Sequence, residues 1–220
     1  MGLYLDHALV LCDVGAPEAR VLLEQGFVEG SRNVHAGQGT ANRRFFFENF
    51  MLELAWVDDP AAAASDAART GGLWERWSER KGRASRFGVV FGGELPQDRE
   101  APFSTRSYRP AYMPPGVSVE VVQGLRLSEP AVFWIPALGA SRPTRASEPV
   151  AHAAPVREVV SLSLGMGMPD SLSDAAMRLR DAGLLEFVAT SAPVLEIRFR
   201  SNDRSLIDCR PDLPVVFRAP

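Results

Sequence analysis

The sequence predicts a mixed α+β fold: paired βαβββ modules forming a mostly antiparallel, cup-shaped sheet, with a strand-and-loop segment inserted between them. Two observations carry this. A strand, a helix, a stopping glycine and further strands follow one another twice, from Leu3 and again from Glu158. Between these runs lies a stretch with strands and prolines, closed by a Pro-, Ala- and Ser-rich connector at Ser141 to Pro155. The expected division is residues 1–80 for the first module and its following helices, 81–140 for the insert, and 141–220 for the second module.

Each element has a local reason. Leu3 to Cys12 is rich in Leu and Val and short enough for a buried strand. Pro17 suits a first helical position, Ala19, Leu22 and Leu23 recur at helical spacing, and Gly26 is a natural stop. The glycines in His35 to Asn42 argue for a loop or bulged strand. Arg43 to Asn49 and Met51 to Val57 read as strands. Asp59-Pro60 opens an alanine-rich helix that Gly71-Gly72 breaks, and a second helix, Leu73 to Arg80, carries Trp74 and Trp77 on one face as packing anchors. Phe87 to Phe91, Val117 to Val122 and Ala131 to Ile135 are strands of the insert, and the Pro-rich segment 94–116 holds too many aromatics for a disordered linker. A helix near 171–182 ends at Gly183, and Glu158 to Leu164, Leu184 to Thr190, Val194 to Arg200 and Val215 to Arg218 are strands.

Composition bounds the function. The chain has 220 residues, 46% hydrophobic and 23% charged, with a formal net charge of −3, the balance of an ordinary globular protein. No long basic run points to nucleic acid. Asp6 and His7 interrupt the first apolar stretch and no basic segment precedes it, so no signal peptide is read there. No apolar run approaches the roughly 20 residues of a membrane span. Cys12 and Cys209 stand alone, without metal-ligand spacing, as reduced thiols of a cytoplasmic protein.

Local residues sharpen the fold prediction into a family resemblance. Leu5-Asp6-His7-Ala8 looks like the opening strand of the vicinal oxygen chelate superfamily, which includes glyoxalases, extradiol dioxygenases and bleomycin-resistance proteins. Asn33-Val34-His35-Ala36-Gly37-Gln38-Gly39-Thr40-Ala41-Asn42-Arg43-Arg44-Phe45-Phe46-Phe47, followed by Met51-Leu52-Glu53-Leu54, is similar to its glyoxalase-like domain subgroup. The Leu73-Trp74-Glu75-Arg76-Trp77 helix and Tyr108-Arg109-Pro110-Ala111-Tyr112-Met113 also resemble that subgroup.

The resemblance implies strand-borne His, Gln or Glu ligands around one divalent metal, two from each module. His7 matches the first-strand position and Glu53 the last-strand position of module one. The second half departs from the pattern: neither Val159 to Leu164, nor Val215 to Arg218, nor Phe87 to Phe91 offers a ligand. Two protein ligands make a weak metal site, so no cofactor is assigned and a divalent metal stays an open alternative. His7 has a plainer reading as a core histidine bonded to a backbone carbonyl. Glu53 lies between Leu52 and Leu54, so alternation turns it to the opposite face, where it needs a partner such as His7 or Arg44. His35, Gln38, Thr40 and Asn42 are either a polar wall or a loop satisfying its own backbone. Arg44 and Phe46 share a strand face, and Tyr112 and Trp134 could roof an aromatic pocket or simply pack.

The expected function is a glyoxalase-like protein with a cleft for a small oxygen-rich or aromatic molecule. It would be a lyase or isomerase, or a dioxygenase relative, in which Glu53 transfers a proton with His7 beside it. The alternative is a non-catalytic binder of the drug-resistance type. The expected partner is a small molecule, with no nucleic acid and no membrane, and a homodimer is compatible with the sequence.

Overall fold

The computed structural model describes residues 2–95, 101–138, 147–167, 171–202 and 204–219. The first part of the Ser141 to Pro155 connector, residues 141–146, lies outside them. The chain opens with β1 (Tyr4–Leu11), α1 (Ala19–Glu24), β2 (Asn33–His35), β3 (Thr40–Phe46) and β4 (Met51–Val57). Three short helices follow, α2 (Pro60–Ala63), α3 (Asp66–Arg69) and α4 (Leu73–Ser78). Then come β5 (Phe87–Gly92), β6 (Thr105–Tyr108), β7 (Val119–Val122) and β8 (Ala131–Ile135). The last part contains β9 (Val159–Met166), α5 (Asp174–Asp181), β10 (Glu186–Ala189), β11 (Val194–Phe199), β12 (Leu206–Asp208) and β13 (Val215–Arg218).

The architecture is mixed α+β, as the sequence predicts, and its strands form two sheets. The eight-stranded sheet runs β2-β3-β4-β1-β5-β8-β7-β6, and the five-stranded sheet runs β10-β9-β11-β13-β12. Most neighbours are antiparallel; β1/β4, β5/β8, β9/β10 and β11/β13 are the parallel pairs. The strands of the segment 81–140 all join the first sheet, entering through the antiparallel pairing of β5 along β1. The alanine-rich helix expected over Ala61 to Arg69 is divided: Ser65 caps α3 through its side chain, so the helix restarts there.

One core lies between the sheets. Ala8, Val10, Leu52 and Leu54 of the first sheet share it with Leu162, Leu195, Ile197 and Phe217 of the second and with Leu22 and Leu179 of the helices. The other face of the first sheet carries a separate cluster that includes Leu11, and Leu9, Val90, Val119, Phe133 and Ile135 of it line a cup. Strand alternation makes this division, because successive side chains point to opposite faces. α4 closes one side: Trp74 and Trp77 stack at 6.3 Å, and Trp77 Nε1 donates to Cys12 O at 2.8 Å. No helix among the described residues is long and apolar enough to cross a membrane.

Candidate functional site

The cup holds a cavity of about 350 Å³, lined from all eight strands of the first sheet and from the turn after β6. His7 and Glu53 meet in it, with His7 Nε2 3.6 Å from Glu53 Oε2. Both positions follow from strand geometry. On β4, Met51, Glu53 and Ala55 face the cavity while Leu52 and Leu54 enter the core between the sheets. On β1, alternation would send Asp6 to the opposite side from His7. A register shift between Leu5 and His7 against β5 breaks the alternation, so Asp6 and His7 both line the cavity.

Asp6 is therefore a site residue that parity reasoning misses. It is 5% exposed, and its Oδ2 lies 2.6 Å from His7 Nδ1. A carboxylate only accepts, so Nδ1 donates here, and Nε2 is left facing Glu53. The pair has the logic of a carboxylate that fixes an imidazole's tautomer and aim. The signal in the sequence was an aspartate beside His7 in a strand whose other residues are mostly apolar.

Glu53 is held from its other side. Asn42 Nδ2 donates to Glu53 Oε1, while Asn42 Oδ1 accepts the Asn33 backbone N–H at 2.9 Å. That backbone donor fixes which way the Asn42 amide points, so a donor necessarily faces the carboxylate. Arg44, expected as a partner of Glu53, stands opposite it in register on β3 but spends its guanidinium elsewhere. Its Nε donates to Ser31 O at 2.8 Å, and its charge lies 5.1 Å from the Phe46 ring centre. Arg44 lines the cavity at its rim.

The His35–Asn42 segment is both a polar wall and a self-satisfied turn. His35, Gln38, Thr40 and Asn42 all line the cavity. Gln38 Nε2 donates to Thr40 Oγ1 at 2.9 Å, and Thr40 Oγ1 lies 2.9 Å from His35 Nδ1. With Gln38 donating to it, the Thr40 hydroxyl is free to donate to Nδ1, which leaves the proton of neutral His35 on Nε2. Burial lowers the His35 pKa, with the Glu53 charge opposing and the Arg44 and His7 charges assisting. Gly39 makes the turn fit: its φ is +72°, and a Cβ there would run into Asp59 O.

Tyr112 stacks on His35, ring centres 4.5 Å apart. Burial pushes its phenol pKa up, with Glu53 and Tyr108 adding to the shift, so the hydroxyl keeps its proton and can donate. Two expected residues fall outside. Trp134 points to the other face of β8, because Phe133 and Ile135 point into the cup; its Nε1 donates to Gly93 O at 2.8 Å and it packs on Phe103. Phe46 has the parity of Asn42 and Arg44 but sits at the end of β3, buried beneath Arg44 and against Gly30.

The donor set does not fit a divalent metal. His7 and Glu53 stand where the family resemblance expects ligands, but the β5–β8 half turns Val90 and Phe133 toward them. Among the described residues no group of three His, Cys, Asp or Glu side chains is arranged to hold an ion. Cys12 and Cys209 are buried, and burial raises both thiol pKa values, so neither is a ready nucleophile.

No family model matches the chain, and no curated protein does. Its structure is similar to the crystal structure of a hypothetical protein from Staphylococcus aureus, with a TM-score of 0.54, 9% sequence identity, and coverage of 100% of this chain and 99% of that one. A 4-hydroxymandelate synthase mutant from Streptomyces coelicolor matches at a TM-score of 0.40 and 12% identity, over 98% of this chain and 61% of that one. At such identities the likeness to the Staphylococcus aureus protein shows the fold alone, an α+β fold shared end to end.

Proposed function

We propose that the cup binds a small molecule with an apolar body and neighbouring oxygens, and that Glu53 and His7 move a proton at it in a glyoxalase-like isomerase or lyase reaction. The observation that supports this is the Asp6–His7–Glu53 array, linked at 2.6 and 3.6 Å and facing an apolar wall. In the isomerase form Glu53 takes a proton from a carbon beside a carbonyl, and the electron pair of that bond moves to the carbonyl oxygen. The Tyr112 hydroxyl is the donor available to that oxygen. The carbon that loses the proton carries a hydroxyl: the proton returns from Glu53, directly or by way of His7 Nε2, to the former carbonyl carbon, while the hydroxyl proton passes to the former carbonyl oxygen and the carbonyl re-forms on the first carbon. In this reading the chain shares the fold of the vicinal oxygen chelate proteins it resembles in sequence and the chemistry of their proton-transfer members, with no metal in the step.

A second reading is sequestration without turnover, favoured by the apolar side chains of Leu9, Val90, Val119, Phe133 and Ile135 around the cavity. One experiment separates the two. α-Hydroxyketones and aryl α-hydroxy acids are incubated with the protein in heavy water, and exchange of the α-hydrogen is followed by NMR. Proton transfer predicts exchange that Glu53→Gln abolishes. Ligand-dependent thermal stabilisation with no exchange for any compound would instead establish the sequestering reading.

A further inference from the structure

The five-stranded sheet repeats the centre of the eight-stranded one. Its order β10-β9-β11-β13-β12 reproduces β4-β1-β5-β8-β7, with the same succession of parallel and antiparallel neighbours. Even the bulge recurs. The register between β1 and β5 shifts at Asp6, and that between β9 and β11 shifts at Val160. Counting from these bulges, Asp6 corresponds to Val160, His7 to Ser161 and Val90 to Arg198. The parallel pairings extend the match: Leu9 faces Glu53 as Ser163 faces Glu186, and Val90 faces Phe133 as Arg198 faces Arg218.

The faces correspond as well. Leu162, Leu164, Leu195, Ile197 and Phe217 enter the shared core, as Ala8, Val10, Phe87, Val89 and Val132 do on the first sheet. The outward face of the second sheet is therefore the counterpart of the cup. A groove of about 910 Å³ lies on it. Its chemistry is inverted: the positions of Val90 and Phe133 carry Arg198 and Arg218, and Arg200 and Arg204 join them. Four carboxylates stand near these four arginines among the described residues, Glu158, Glu186, Glu196 and Asp208, the last of which is also bound by Arg210.

Two features suit a ligand that is anionic at one end and apolar at the other. Arg198 and Arg218 are direct cross-strand partners, a like-charge pairing that needs an anion between. Glu196 supplies one, accepting Nε–H bonds from Arg198 at 3.0 Å and Arg218 at 2.8 Å. Burial raises the Glu196 pKa, but the bonds and charges of the two arginines outweigh it and hold the group below its ordinary range. Because these bonds use Nε, the terminal amino groups of Arg218 are left for a second anion. Beside them, Val160 and Leu206 are 59% and 56% exposed, and both line the groove. The bulge holds Val160 out.

We propose that this groove is a second small-molecule site, which takes a carboxylate or phosphate carried on an apolar body, with Arg198 and Arg218 holding the anion and Val160 and Leu206 the body. It does not depend on the chemistry assigned to the cup. The test is calorimetric titration of the full chain with benzoate, phenyl phosphate and inorganic phosphate. Saturable binding of benzoate or phenyl phosphate is expected, and which of the two binds tighter identifies the anion. The Arg198→Gln/Arg218→Gln double variant should weaken it by about tenfold or more, since charge-assisted bonds are lost. Leu206→Asp, at an exposed position that the fold does not need, should weaken it too by placing a negative charge beside the anion. Glu53→Gln should leave it unchanged. The proposal is overturned if neither aryl anion binds saturably, if the double variant binds as the wild type does, or if inorganic phosphate binds as tightly as phenyl phosphate.

Discussion

On one side of the cup, β1–β4 present Asp6, His7, Asn42 and Glu53; on the other, β5–β8 present Val90, Val119, Phe133 and Ile135. The two walls come from strands with the same pairing pattern, one parallel pair and two antiparallel pairs in each half and an antiparallel pairing where the halves meet. Yet one wall is a chain of polar groups and the other is nearly all hydrocarbon. On the polar wall each group orients the next, from the Asn33 N–H through Asn42 and Glu53 to His7 and Asp6. Such a network is strong where water is scarce, and the apolar wall is what makes it scarce. The division teaches that reactivity and retention are separable here: one wall can act on a ligand and the other can only hold it.

That separation can be broken by mutation. The largest effect is expected from Glu53→Gln, which keeps shape but cannot take a proton. Exchange catalysed in the cup should fall by about 10²–10⁴-fold, the usual worth of a positioned acid–base group. Ligand-induced thermal stabilisation should persist, because the apolar wall is untouched. Undiminished exchange in this variant would remove the polar wall from the chemistry.

Phe133→Ala tests the opposite wall. Phe133 is 6% exposed, and truncation removes buried contacts while enlarging the cup. Unfolding in urea should show a loss of about 2–4 kcal/mol, toward the lower part of the range for core aromatics because one side of the ring already borders a cavity. Ligand affinity should drop while turnover of bound ligand stays near the wild-type value. A lowered rate at saturating ligand would mean the walls are not separable.

Glu53→Ala should cost about 1–3 kcal/mol, the penalty of a buried polar group left without its partner. The group orphaned is chiefly Asn42, which is 2% exposed and whose amide is pinned toward the missing carboxylate by the Asn33 N–H. His7 loses less, since Asp6 remains on its other nitrogen. Restoring shape with Glu53→Gln should recover part of the loss in the same urea titration.

Much of this arrangement was legible in the sequence, and the gaps have physical causes. β1, β4, β5 and β8 are visible because their apolar runs follow from burial on a sheet. β2 and β6 are not, being short edge strands that exist through pairing with β3 and β7. His7 and Glu53 could be set on faces by counting in twos. Asp6 could not, because a bulge adds one residue and reverses the count beyond it. Trp134 was open to misreading for a related reason: parity divides β8 into two faces, but only the sheet reveals which one is the cup. The inverted cup of the second sheet was hidden for the same cause, since its registers exist only in the fold.

The smallest expected effect is a pH dependence of stability that belongs to the polar wall. Burial lowers the His35 pKa in the folded protein below its ordinary value of 6.5. The folded state therefore binds fewer protons than the unfolded chain in the interval beneath that value. Stability from His35 is fully present above about pH 6.5 and is lost as the pH falls toward the depressed folded pKa. His152, which belongs to neither wall, shares the sign. Burial lowers its pKa, with the bond to Phe46 O opposing and Arg157 assisting. Its Nδ1 accepts the Val28 N–H at 3.0 Å and its Nε2–H donates to Phe46 O at 2.8 Å, so protonating Nδ1 would break the first bond. Urea midpoints measured from about pH 7.5 down to about pH 5 should fall. His35→Gln and His152→Gln should each remove part of the slope, and Phe133→Ala should lower every point while leaving the slope intact. A slope that survives both histidine substitutions would assign the acid sensitivity to other groups and detach it from the polar wall's turn.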